Sequence, residues 1–180
     1  MRGKTEKQQQ PSISGMDVRR LIQGKSTQEV TAFLLKSMGE NEAFRRKVLA
    51  WVVETSAGDL PREAVLGELL GWVDEVFDIW RGRVPKTPKL KDLAPVKAAV
   101  KKHPDLAVPV YLAMLEGVIG FLVEFGGGPD SFYSAAISYG KQIAVSLDRV
   151  ADQQLRDEYL FRLESVAAKA EDIGMWLATS

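Results

Sequence analysis

Residues 106–125 read LAVPVYLAMLEGVIGFLVEF, a run with two carboxylates (Glu116 and Glu124), one proline (Pro109) and no Lys or Arg. About 20 apolar residues are what a bilayer span requires, but a glutamate in the middle of such a span is costly. The segment therefore reads as a helix buried on most sides within an all-α domain, not as a membrane helix. Leu112, Leu115, Ile119 and Leu122 are expected to be its buried residues, and the helix to be the most buried element of the domain. Glu116 is expected either to meet a Lys or Arg from another helix or to lie at an exposed edge.

The neighbouring segments are helical as well. Gly126, Gly127, Gly128 and Pro129 end the apolar helix. Asp130 or Ser131 caps a helix to about Leu147, and Asp152 caps another over about 153–170, with a final turn holding Met175, Trp176 and Leu177. Upstream, a helix over about Leu93–Lys102 stops at Pro104. The segment 62–80 predicts a regular helix with a stripe of Val65, Leu66, Leu69, Leu70, Val73, Val76, Phe77 and Trp80. Gly67 and Gly71 lie four apart on it and are expected to admit another backbone closely. Asn41 caps a helix with Phe44, Val48, Leu49, Trp51 and Val52 at helical spacing. Ser26 or Thr27 caps one with Val30, Phe33, Leu34 and Met38 on one side and Glu29 in the first turn. A short helix is expected between Ser14 and Gly24. The pattern predicts about eight helices in antiparallel pairs, as a helical-repeat-like array or bundle. It forms one domain over 16–180 behind a polar, disordered tail over 1–15.

Composition narrows the chemistry. The 180 residues include no Cys and one His, which excludes thiolate nucleophiles, Cys-ligated zinc and a triad of His ligands. Asp74 with Asp78, and Glu75 with Asp78, are helical neighbours, yet no Glu-x-x-His pair accompanies them, so a solvated acidic side is expected. His103 beside Pro104 reads as a helix-terminal surface residue. No catalytic set, metal site or cofactor is indicated, and the chain is expected not to be an enzyme. The lack of Cys and of an apolar leader suits a cytoplasmic protein.

Charge is unevenly placed although the total is zero. The net is +4 over 1–25, −5 over 26–80, +7 over 81–103 and −6 over 104–180. The basic stretch makes Arg81, Arg83, Lys86, Lys89, Lys91, Lys101 and Lys102 the candidate binding residues. With Pro85 and Pro88 in it, the loop 81–91 is expected to be extended, at the surface, off the apolar core, and partly paired with neighbouring carboxylates. It holds no aromatic for base stacking, so a protein partner or self-association is expected ahead of nucleic acid.

The twelve residues from Asn41 to Val52 match Asp152 to Leu163 at a constant offset of 111: a cap, an apolar residue three later, Arg next, then apolar residues at helical spacing. A fainter copy begins at His103. VTAFLLKSMGENEAFRRKVLAWVV (30–53) and VADQQLRDEYLFRLESVAAKAEDIG (150–174) resemble the helical region that accompanies SWIM-type zinc fingers. That finger needs Cys and His ligands, and a chain without Cys cannot carry it. The resemblance implies a helical-repeat scaffold that takes part in protein interactions.

Overall fold

A computed structural model describes residues 22–56, 61–81, 84–101 and 103–175, with backbone alone at Arg81, Val84 and Pro104. The expected tail over 1–15, most of the expected helix before Gly24, and Trp176 and Leu177 lie outside the described residues. The protein is all-α apart from one minimal hairpin. Helices α1 (Thr27–Glu40), α2 (Glu42–Thr55) and α3 (Arg62–Phe77) are followed by strands β1 (Trp80–Arg81) and β2 (Val84–Pro85). A 3-10 turn (Leu90–Leu93) leads into α4 (Ala94–Val100), α5 (Pro104–Glu124), α6 (Asp130–Leu147) and α7 (Gln153–Glu171). The chain divides into two compact units, Met1–Arg46 and Lys47–Ser180.

Local chemistry sets the helix ends. Ser26 and Glu29 close a capping box: the Glu29 amide donates to Ser26 Oγ at 3.2 Å, and the Ser26 amide donates to Glu29 Oε2 at 2.9 Å. The Ser26 amide first, then the Ser26 hydroxyl donating to Oε2 at 2.9 Å and Lys25, hold the Glu29 carboxyl below its ordinary range. Asn41 Oδ1 accepts from the Phe44 amide at 3.0 Å, and Asp152 Oδ1 accepts from the Gln154 and Leu155 amides. Both caps stand where the sequence puts them. Gly126 ends α5 in the left-handed region, at φ 62°, a conformation that is easy only without a Cβ.

In the second unit α5 packs on α6, α3, α7 and α4. Leu112, Leu115, Ile119 and Leu122 are buried almost completely, as are Leu106, Val108, Val110, Met114 and Val118. Val65, Leu69, Trp72 and Val73 from α3 and Phe132, Ala136, Tyr139 and Ile143 from α6 close on this helix. Tyr159, Leu163, Val166 and Ala170 from α7 complete the cluster. Helix α5 meets the span criterion by length and composition over Asp105–Glu124, and 72% of its most apolar window is buried inside the protein. A Cβ on Gly117 would overlap the Phe77 ring, so α3 and α5 meet closely there.

Pro109 sits inside α5 and has no N–H to offer the carbonyl of Asp105 four residues earlier. Arg62 of α3 supplies the missing donor: its Nη2 lies 3.3 Å from Asp105 O. The same guanidinium reaches Tyr159 Oη of α7 at 3.4 Å, and its Nε is 3.5 Å from Asp105 Oδ2. One side chain thus ties three helices at the point where the long helix lacks its own bond.

Several expectations need correction. Helix α3 ends at Phe77, not Trp80: Asp78 is its C-cap and Ile79 onward is extended. Gly67 and Gly71 face open space, with no atom within 4 Å of a built Cβ, so they admit no close neighbour. On α2 the residue that becomes buried is Val53, while Trp51 is 62% exposed. On α1 no residue is buried.

Candidate functional site

The basic segment is built on the hairpin. Trp80 pairs with Pro85 and Arg81 with Val84, and the Lys86 amide donates to Ile79 O at 2.8 Å. The Asp92 amide donates to Lys89 O at 2.8 Å and closes the 3-10 turn. Pro88 and Leu93 are buried and Leu90 is half-buried. The segment is therefore anchored to the core by its apolar residues, not held off it, and like-charge repulsion is relieved by exposing the lysines in between. Residues 86–89 belong to neither helix nor strand, and Lys91 lies within the 3-10 turn.

Of the candidate residues, Lys86, Lys89, Lys91 and Lys101 are exposed. None of these four makes an ion pair among the described residues; the expectation that some of the loop's Lys and Arg pair with carboxylates also rests on Arg81 and Arg83, whose side chains lie outside the described residues. Arg83 and Lys102 lie outside the described residues, and of Arg81 only the backbone is described. Lys97, in the same stretch, is used differently: its Nζ lies 5.9 Å from the centroid of the Tyr139 ring, a cation–π contact that ties α4 to α6. Burial pushes the Tyr139 phenol up to about 12, with the neighbouring Tyr111 adding to the shift, and burial raises Tyr111 also.

One aromatic that the sequence reading placed in the helical stripe over 62–80 stands elsewhere. Trp80 belongs to the hairpin, is 52% exposed, and stands beside Phe125 with ring centroids 6.4 Å apart. Phe125 continues to Phe121 at 4.8 Å, and Phe121 to Phe132 at 4.7 Å. An aromatic chain therefore runs from the buried Phe132 of α6 past the C-terminal end of α5 to the hairpin. The basic segment does have an exposed aromatic next to it. The signal was the Ile79–Trp80 and Val84–Pro85 pairs either side of Gly82, a short hairpin pattern masked by the helical stripe that precedes it.

Other polar groups make contacts within the protein. Glu116 receives Arg162 of α7: Nη2 lies 2.8 Å from Oε2 and 2.9 Å from Oε1, and Nε lies 3.2 Å from Oε1. The first of the two expected fates of Glu116 is the one observed. His103 stands at the N-terminal end of α5, not in the last turn of a helix, and its Nε2–H donates to Val53 O at 2.7 Å. A depression of about 350 Å³ is lined, among the described residues, by Pro61, Arg62, Glu63 and Ala64, which bring one guanidinium and one carboxylate. No cluster of three metal-ligating side chains occurs among the described residues. No family model, curated protein or solved structure matches the chain.

Proposed function

We propose that the protein is a non-enzymatic helical scaffold that mediates protein–protein interaction, in the cytoplasm, and that its partner carries an acidic surface with an apolar side chain. The observation that carries the reading is the exposed Trp80–Phe125 edge beside the exposed Lys86, Lys89 and Lys91. Aromatic side chains at a polar rim are what protein interfaces enrich, and exposed lysines steer an acidic partner toward them. The finer architecture we assign is of antiparallel helix pairs, about eight helices in all. The five-residue link 125–129 between the long helices α5 and α6, which pack together, supports it. The resemblance to the helical region beside SWIM-type zinc fingers points the same way.

The test compares partners captured by the full chain with those captured by Trp80→Ala and by Lys86→Glu with Lys89→Glu. Loss of a captured protein with an unchanged melting temperature supports the reading. Capture that is indifferent to both variants, or a turnover activity, overturns it. A second reading is favoured by one feature: an exposed indole beside lysines is a stacking platform for single-stranded nucleic acid. Saturable binding of an oligonucleotide at about 50 mM salt that collapses at higher salt selects that alternative. No binding at that salt removes it.

A further inference from the structure

Helix α1 is well formed yet buries none of its fourteen residues. Its capping box is complete, and Phe33 and Leu35 are 66% and 64% exposed. Val30, Leu34, Ser37 and Met38 are only half-buried. At 100° per residue, Val30, Phe33, Leu34, Ser37 and Met38 share one side, and none of them is charged. An isolated helix of this length is marginal in water, so the apolar side calls for a partner.

The charges say which partner. Between residues 22 and 40 the ionisable side chains are Lys25, Glu29, Lys36 and Glu40. Their spacings of four, seven and four residues place them in one row along one flank of the helix. Within one copy Lys25 lies 3.3 Å from Glu29, and Lys36 lies 3.8 Å from Glu40, all four being exposed. A two-fold axis crossing two such helices at right angles makes them antiparallel and sets each flank against its own copy. Centred between Ala32 and Phe33, that arrangement brings Lys25 opposite Glu40 and Glu29 opposite Lys36, each pair twice. No like charges meet. The two Phe33 side chains come within one residue's rise of each other, and the helix dipoles oppose. A parallel pairing would set the charged row against Thr27, Thr31, Leu35 and Met38, which offer no charge.

We propose that two copies of this chain associate through α1, antiparallel, with the Val30–Met38 side as the contact and the Lys25–Glu40 row as the register. The proposal does not depend on the Trp80 edge. One pair of four-turn helices falls short of the roughly 1,200 Å² of a stable interface, so the dimer is weak and forms at about micromolar to millimolar concentration.

The test is the mass of the full chain by sedimentation equilibrium over that range. Wild type moves from monomer to dimer. Phe33→Asp loses the dimer while the melting temperature holds, because the residue is exposed. Lys25→Glu alone and Glu40→Lys alone each weaken association about tenfold by setting like charges opposite, and the two together restore it. These two positions leave the Glu29 capping box intact. Trp80→Ala leaves the mass unchanged, which separates this surface from the proposed partner edge. A wild type that is monomeric up to about 1 mM, a Phe33→Asp chain that still dimerises, or a double variant that stays dissociated overturns the proposal.

Discussion

Helix α1 has fourteen residues and buries none, whereas α5 has twenty-one and places most of its apolar side chains out of reach of water. Both are helices that the sequence marks plainly. The contrast recurs inside the 111-residue repeat. Asn41 and Asp152 cap α2 and α7 in the same way, through side-chain oxygens on backbone amides. The apolar positions that follow part company: Tyr159 and Leu163 are buried, while the corresponding Val48 and Val52 are only half-buried. A cap is satisfied within one turn of chain and needs nothing else. Burial needs a second surface, and α7 has α5 to pack on.

The largest difference between the two regions should appear on truncation. Leu112→Ala in α5 is expected to cost about 2–5 kcal/mol in denaturant unfolding, by lost transfer energy and an unfilled cavity. Phe33→Ala in α1 should stay within about 0.5 kcal/mol for the monomer. Equal losses would show that α1 is buried in solution and erase the contrast.

A pH experiment sharpens it, because all four tyrosines, at 111, 133, 139 and 159, lie in the second unit. The Tyr139 phenol is raised from 10.0 to about 12 in the folded protein. The folded state therefore holds the proton more tightly than the unfolded state. The stability linked to that proton is complete below about pH 10 and is lost as pH rises toward about 12, a loss of about 2–3 kcal/mol. Tyr139→Phe should flatten stability over that window. An absorbance titration with every tyrosine ionising near 10 would contradict it.

Glycines give a change of sign. Gly117→Ala should destabilise by about 1–3 kcal/mol, because its methyl meets the Phe77 ring. Gly71→Ala, with open space around it, should stabilise by about 0.5–1 kcal/mol through helix propensity alone. Thermal melts of the two variants that shift in the same direction would rule out the close approach of α3 and α5. Of similar size is the Arg62 bond. Arg62→Ala should cost about 1 kcal/mol, and less when Pro109→Ala has restored an N–H for the Asp105 carbonyl. A double-mutant cycle with no coupling would show that the guanidinium does not stand in for the missing donor.

The smallest expected effect is at the Asn41 cap, set against the cap at Asp152. Asp152→Ala should lower global stability by about 0.5–2 kcal/mol, since α7 unfolds with the core. Asn41→Ala should leave the global transition nearly still and speed amide exchange in α2 alone. A global shift of the same size from both would mean that the two helices are equally coupled to the core.

The sequence by itself determined the all-α character and the caps at Ser26, Asn41 and Asp152, whereas the side-chain cap expected from Asp130 or Ser131 is not made because Pro129 stands at that position. Ser26, Asn41 and Asp152 act over one turn, glycine and proline break the chain where they stand, and 3.6-residue periodicity is a local property. It also identified α5 as the centre, because a run so poor in charge has no other stable place in the fold, and it put Lys86, Lys89 and Lys91 at the surface. Only the tertiary structure decided which faces found partners. Trp80 and Trp51 sit on apolar patterns yet remain exposed, and Gly67 and Gly71 touch nothing while Gly117 is filled by Phe77. Arg162 for Glu116, Arg62 for the Asp105 carbonyl and Val53 for His103 are meetings across 43 to 50 residues of chain. Periodicity says that a side chain has a buried side, but which neighbour arrives there depends on how whole helices pack, and that depends on many residues at once.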